Sequence, residues 1–186
     1  ALELSDLLTL RRGEPVLDPV TGAVERLSAE CLKIKGRAPR DWTCRFFREE
    51  SASCGIYRTR PAQCRVLDCQ APEALAAMYR TQRLTRLDLI PEGHPLTGLI
   101  GAHEEMAPAG RAVDLAQALA RGEGSGEERA KLARLLDADR TLRRLAMERA
   151  GIGPEDLDFL FGRPLEEVLG PIGPIGPGGP GGGQRP

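Results

Sequence analysis

Apolar positions along the chain change period partway through. Over residues 14–35, EPVLDPVTGAVERLSAECLKIK, short β-branched runs alternate with turn formers, punctuated by Asp18-Pro19 and Thr21-Gly22. Such runs between breaks predict a small hairpin or meander. From about Pro72 the pattern becomes helical. Leu96, Leu99, Ile100, His103 and Met106 recur at the spacing of one helix face, and Val113, Ala116, Leu119 and Ala120 form a second stripe that stops at Gly122. The clearest helix is expected over 126–150. Ser125 and Glu128 have the spacing of a capping box, Leu132, Leu135, Leu136, Leu142, Leu145 and Ala146 line one face, and Gly151 supplies the stop. Glu127 then faces Lys131, and Asp139 faces Arg143, one turn on. Short helical pieces are expected near 154–160 and 164–169.

The predicted fold class is α+β, mostly α. A small, loop-rich, cysteine-bearing β or irregular part (residues 1–90) packs on a helical part (91–169) of the same compact unit. Residues 170–186 form a tail in which 13 of 17 are Gly or Pro. A segment of that composition has too little apolar surface to fold and is expected to be disordered.

Composition narrows the function classes. The length of 186 residues suits one domain with an appendage. A net charge of −1 gives no overall field that would draw the chain to nucleic acid or an anionic membrane. No apolar run approaches the roughly 20 residues of a membrane span. The opening ALELSDLLTL lacks the basic start and apolar core of an export signal, which predicts a cytoplasmic protein.

The unusual residues share one window. All five cysteines lie between Cys31 and Cys69, together with Trp42, Phe46, Phe47 and Tyr57. Nine basic residues face four acidic ones there, giving +5 locally and −6 for the remainder. The spacing is C-x12-C-x9-C-x9-C-x4-C, without the C-x2-C pairs of zinc ribbons. Three readings compete for these thiols. Disulfides need an oxidising compartment and leave one of five cysteines over. Separate core cysteines have no reason to bunch with arginines. A shared metal site requires clustering, because tetrahedral ions and iron–sulfur clusters are held by several thiolates at once. Neighbouring cations favour the thiolate form, and Cys44 precedes Arg45 as Cys64 precedes Arg65. Pro61 is expected at the first position of a helix, with Cys64 in its first turn and its pKa lowered by the dipole.

The segments WTCRFF at 42–47 and CGIYRTRPAQCRVLDC at 54–69 carry a specific pattern, with residue types fixed between the cysteines. This chain resembles the YkgJ-type cysteine-cluster family, also described as CxxCxxCC or zinc/iron-chelating proteins. The resemblance is close over about 28 residues, and DLLTLRRGEPVLDP and FLFGRPLEEVL are also similar to bacterial members. It implies that Cys44, Cys54, Cys64 and Cys69 are metal ligands, with Trp42, Tyr57, Arg60, Pro61 and Arg65 as framework around them. The implied cofactor is zinc or iron, the latter as an iron–sulfur cluster. The cluster that names the family, C-x2-C-x2-C-C, normally lies upstream and is missing from this sequence. Either the chain begins just after it, which is the expectation, or this member has lost it. Arg45 also stands where the family often has proline.

Cys31 lies in the strand-like CLKIK and is expected to be a buried core thiol, with a further-ligand role as its second reading. His103 sits on an apolar stripe and is expected to be a core histidine, again with a ligand role second. His94, nine residues earlier, cannot share a metal with it on one helix. Glu104/Glu105 and Glu166/Glu167 are expected on solvated surface. There is no G-x-G-x-x-G, GK[ST] or G-x-S-x-G motif, so nucleotide and esterase chemistry have no foothold. The leading expectation is a metal-binding protein with a redox, accessory or structural role and a protein partner, without nucleic acid or membrane. The alternatives are a component of a protein-modifying enzyme, since the cysteine region is also similar to that of flagellin lysine methylases, and a metal-free helical scaffold.

Overall fold

The computed structural model describes residues 2–18, 20–38, 41–67, 73–81 and 83–170, which hold fifteen strands and α-helices. The strands are β1 (Leu7–Leu10), β2 (Pro15–Leu17), β3 (Val24–Arg26), β4 (Cys31–Ile34), β5 (Gly36–Ala38), β6 (Asp41–Cys44), β7 (Phe47–Arg48) and β8 (Ser53–Cys54). The helices are α1 (Ala62–Val66), α2 (Glu73–Met78), α3 (Pro95–Met106), α4 (Ala109–Ala120), α5 (Gly126–Ala150), α6 (Leu157–Phe161) and α7 (Leu165–Leu169). The architecture is α+β and mostly α. The tail beyond Gly170 lies outside the described residues.

The strands form antiparallel pairs rather than one sheet: β1 with β4, β2 with β3, β5 with β6 and β7 with β8. The expected hairpin is β2–β3, and its turn is tied by the Asp18 carboxylate. That group accepts from the backbone N–H of Val20 (2.7 Å) and Thr21 (3.0 Å), and from the Tyr79 hydroxyl (2.7 Å). Strand β4 instead reaches back to β1 in the register Leu7–Ile34 to Leu10–Cys31. This ribbon is part of the core. Leu7, Ile90, Ile100, Ala146 and Phe159–Phe161 form one apolar cluster, and the Thr9 hydroxyl donates to the Phe159 carbonyl at 2.6 Å. A second cluster joins α4, α5 and α7 through Val113, Leu115, Leu132, Leu165, Val168 and Leu169. Full burial of each large side chain contributes about 1.5–3 kcal/mol.

Helix α5 runs over the expected residues. Ser125 and Glu128 complete the capping box, and Gly151 ends the helix in the left-handed conformation. Met106 departs from its stripe. Ile100 and His103 are buried, but Met106, in the last turn of α3, is 53% exposed beside a shallow apolar groove on α5.

Charged residues are part of the interior. Arg11 and Arg86 are fully buried and both bind Glu104, Arg11 through Nε at 2.8 Å and Arg86 through Nη2 at 2.8 Å. Arg86 also grips Glu30, and Glu14 receives Arg163 at 2.8 Å. The expectation of a solvated Glu104 is corrected by this network. Burial pushes its carboxyl up, but Arg11 and Arg86 outweigh that and hold it below the usual range. Glu105, Glu166 and Glu167 are exposed as expected.

The α6–α7 junction turns at Gly162, whose φ of +68° and ψ of −163° suit only glycine. A Cβ there would lie 2.7 Å from the Thr9 carbonyl oxygen and 2.8 Å from Arg11 Cδ. Gly162→Ala is expected to lower stability by about 2–4 kcal/mol through backbone strain and overpacking. Gly98→Ala, in open space on α3, is expected to be neutral or to stabilise by up to about 1 kcal/mol. Urea unfolding of both variants checks the contrast.

Candidate metal centre

The cysteines are carried by the least buried part of the chain. Among the described residues between Gly36 and Leu67, none falls in the buried class. Two tight hairpins and a short helix make up this module. Cys44 ends β6 opposite Gly36, and Cys54 ends β8 opposite Phe47. The turn between β7 and β8 is sharpened by Ala52 at φ +46° and closed by Gly55 N–H donating to the Phe46 carbonyl at 2.8 Å. The chain then passes through a 3-10 turn at Tyr57–Thr59 into α1, which carries Cys64.

Two arms tie the module to the core. Arg45 Nε lies 3.2 Å from the Asp6 carboxylate, and its Nη1 donates to the Ser5 carbonyl. Lys35 Nζ donates to the Glu155 carbonyl at 2.7 Å and pairs with Asp158 at 3.1 Å. Within the module, Arg65 Nε donates to the Arg60 carbonyl at 2.9 Å, and the Arg60 guanidinium lies 3.7 Å from the Tyr57 ring centroid. Lys33 stands 4.2 Å from the Trp42 ring centroid. These contacts engage Trp42, Tyr57, Arg60 and Arg65 with neighbouring side chains and backbone.

Three of the four expected ligands, Cys44, Cys54 and Cys64, lie on β6, β8 and α1. The Cys64 thiol is pushed up, first by loss of water around it although the residue is exposed, then by the charges of Cys44 and Cys54, with Arg60 opposing. The lowered pKa expected for Cys64 is thereby corrected. Pro61 is the N-cap rather than the first helical residue, α1 has only five residues, and Arg65 folds back onto a carbonyl instead of facing the thiol. Cys44, Cys54 and Cys64 are free thiols. Cys69 lies outside the described residues. Among the described residues, no three Cys, His, Asp or Glu side chains stand together at metal-holding distances.

Cys31 is a free, half-buried thiol on β4, pushed up chiefly by burial. His103 is fully buried, and its Nε2 lies 2.7 Å from Asp139 Oδ1. Asp139 also accepts from Arg143 Nε at 3.1 Å and from Leu165 N–H at 3.1 Å. Burial pushes the Asp139 carboxyl up, but His103, Arg143 and Leu165 together hold it below the usual range. An ionised Asp139 makes Nε2 the protonated nitrogen, and Nδ1 has no partner among the described residues. His94 caps α3, accepting from Leu96 N–H at 3.3 Å.

Burial, with Arg11 and Arg143 assisting and Asp139 opposing, holds His103 below its ordinary value of 6.5. The unfolded imidazole takes its proton from about pH 6.5 downward and the folded one only at lower pH. Stability contributed by His103 is therefore present above 6.5 and lost as pH falls below it. Buried Glu14, whose carboxyl is raised by burial, acts in the opposite sense near its own range. The urea midpoint is expected to fall between pH 7.5 and 5.5, and to fall less in His103→Gln, as equilibrium unfolding at both pH values will show.

Sequence reasoning missed the Arg11–Glu104–Arg86–Glu30 and Glu14–Arg163 pairs. Of the buried pairs described, the local Asp139–Arg143 pair left an i,i+4 signal. No protein-family model, no curated protein and no solved structure matches the chain.

Proposed function

We propose that this chain is a metal-organised interaction module of the YkgJ type, with Cys44, Cys54, Cys64 and Cys69 as the ligands of zinc or of an iron–sulfur cluster. One observation carries the reading: β6, β8 and α1, three short elements that each bring a cysteine, lie in a segment without a buried residue of its own among those described. A short segment that cannot build a core needs a cross-link, and reduced thiols supply one by binding metal. The donor set, all thiolate, suits zinc or iron–sulfur ligation rather than magnesium or calcium. When bound, the metal would supply either a rigid four-coordinate anchor or one-electron chemistry.

The residues of the chain do the rest. Arg60 and Arg65 fix the loop before and through α1, and Arg45 and Lys35 hold the module on the core. The absence of a local core favours the structural role over a redox one. Metal ligation by four thiolates needs a reducing compartment, and the proposal accordingly puts the protein in the cytoplasm.

The test is metal and acid-labile sulfide content of protein purified without oxygen, with a visible spectrum of the same sample. We expect stoichiometric zinc without colour, or iron with sulfide and visible absorption, lost in Cys54→Ser and in Cys64→Ser while Cys31→Ser retains it. Metal-free wild-type protein, or equal metal in all three variants, would overturn the assignment.

A further inference from the structure

We propose that the exposed cation–aromatic pairs in and beside the cysteine module dock an acidic protein segment. The inference rests on the module reading above and adds the chemistry of its partner. Trp42, Phe47 and Tyr57 are 50%, 41% and 62% exposed, an unusual placement for large aromatic side chains in one short stretch. Each ring has a cation over it: Lys33 at 4.2 Å from the Trp42 centroid, Arg60 at 3.7 Å from Tyr57 and Arg37 at 5.6 Å from Phe47. Rings used this way hold long basic side chains in fixed places, so that less conformational freedom is lost when an anion binds.

The charge of the face is not spent internally. The module's ion pairs, Arg37 with Glu49, Arg45 with Asp6 and Lys35 with Asp158, leave Lys33, Arg58 and Arg60 without a carboxylate among the described residues. The complement of that surface is anionic. A protein carboxylate fits better than a nucleic acid for two reasons. The first is reach: a short acidic segment can lie wholly on the basic window. A long phosphate backbone running past the module would also meet the remaining chain, whose net charge is −6, whereas an acidic peptide segment contacts only the positive window of +5.

The test titrates metal-loaded full chain against a labelled poly-glutamate peptide, with poly-lysine and a uridine homopolymer RNA alongside, and measures metal content in every sample. We expect poly-glutamate binding that weakens with salt, no poly-lysine binding, and a loss on the order of tenfold in the double variant Lys33→Gln/Arg58→Gln with metal retained. The milder single variant Arg58→Gln keeps the test valid if the double variant loses its fold. RNA bound in preference to peptide would overturn the proposal, as would peptide binding unchanged in metal-retaining variants. Self-association abolished by the same substitutions would give the face to a second copy and overturn it too. Peptide binding by metal-free protein would leave the face standing and remove the metal reading beneath it.

Discussion

Replacing Asp139 by alanine is expected to destabilise the fold by about 3–5 kcal/mol, the range for breaking a buried charge pair by removing one partner. Three donors lose their acceptor at once: His103 Nε2, Arg143 Nε and the Leu165 N–H. Arg143 keeps its bonds to the Phe161 and Gly162 carbonyls, but its charge stays in the interior without a counter-ion. The side chain joins α3, α5 and the start of α7, so its loss loosens the packing of all three. Glu127→Ala removes another i,i+4 partner of α5, an exposed one, and its effect should lie at the margin of measurement. Urea titration of the two variants side by side separates them. A small effect at Asp139 would contradict the view that this carboxylate organises the helical half.

On the proposed ligation, withdrawing the metal is expected to release residues 36–67 while the helical core stays folded. The core clusters draw on β1, α3, α4, α5, α6 and α7 and take nothing from that segment. Without the thiol cross-link, the module is left with its short hairpins and the Arg45 and Lys35 arms. Those two pairs, each with one largely buried partner, tie the module to the core but do not cross-link it internally. Chelation under reducing conditions should therefore accelerate tryptic cleavage within 36–67 on the order of tenfold or more, with far-UV helicity nearly unchanged. Peptide mapping of the digest locates the cuts. Cleavage spread evenly over the chain, or none, would contradict the division into a core and a metal-dependent module.

These expectations show where local signals suffice. Helix α5 was legible because its determinants lie within its own residues: a cap at Ser125 and Glu128, an i,i+4 pair at Asp139 and Arg143, and a stop at Gly151. The β2–β3 hairpin was legible for the same reason, with Asp18 closing its own turn. Glu104 was misread as solvated because its partners Arg11 and Arg86 stand 93 and 18 residues away. No pattern of spacing encodes such pairs. The β1–β4 ribbon, joined across a whole hairpin, was equally out of reach. For the site, residue types marked the candidate cysteines, but the environment of Cys64 depended on how α1 begins and where Arg65 turns, which spacing does not specify.

The central claim is that four thiolates from this module hold one metal centre. X-ray absorption at the edge of the bound metal counts the atoms around it most directly. The account predicts a shell of four sulfurs at about 2.3 Å if the metal is zinc, or sulfur neighbours with a short iron–iron distance if it is an iron–sulfur cluster. Replacing Cys69 by serine should reduce the sulfur count or the occupancy. A shell made mainly of nitrogen and oxygen, or a sulfur shell indifferent to the loss of Cys69, would contradict it.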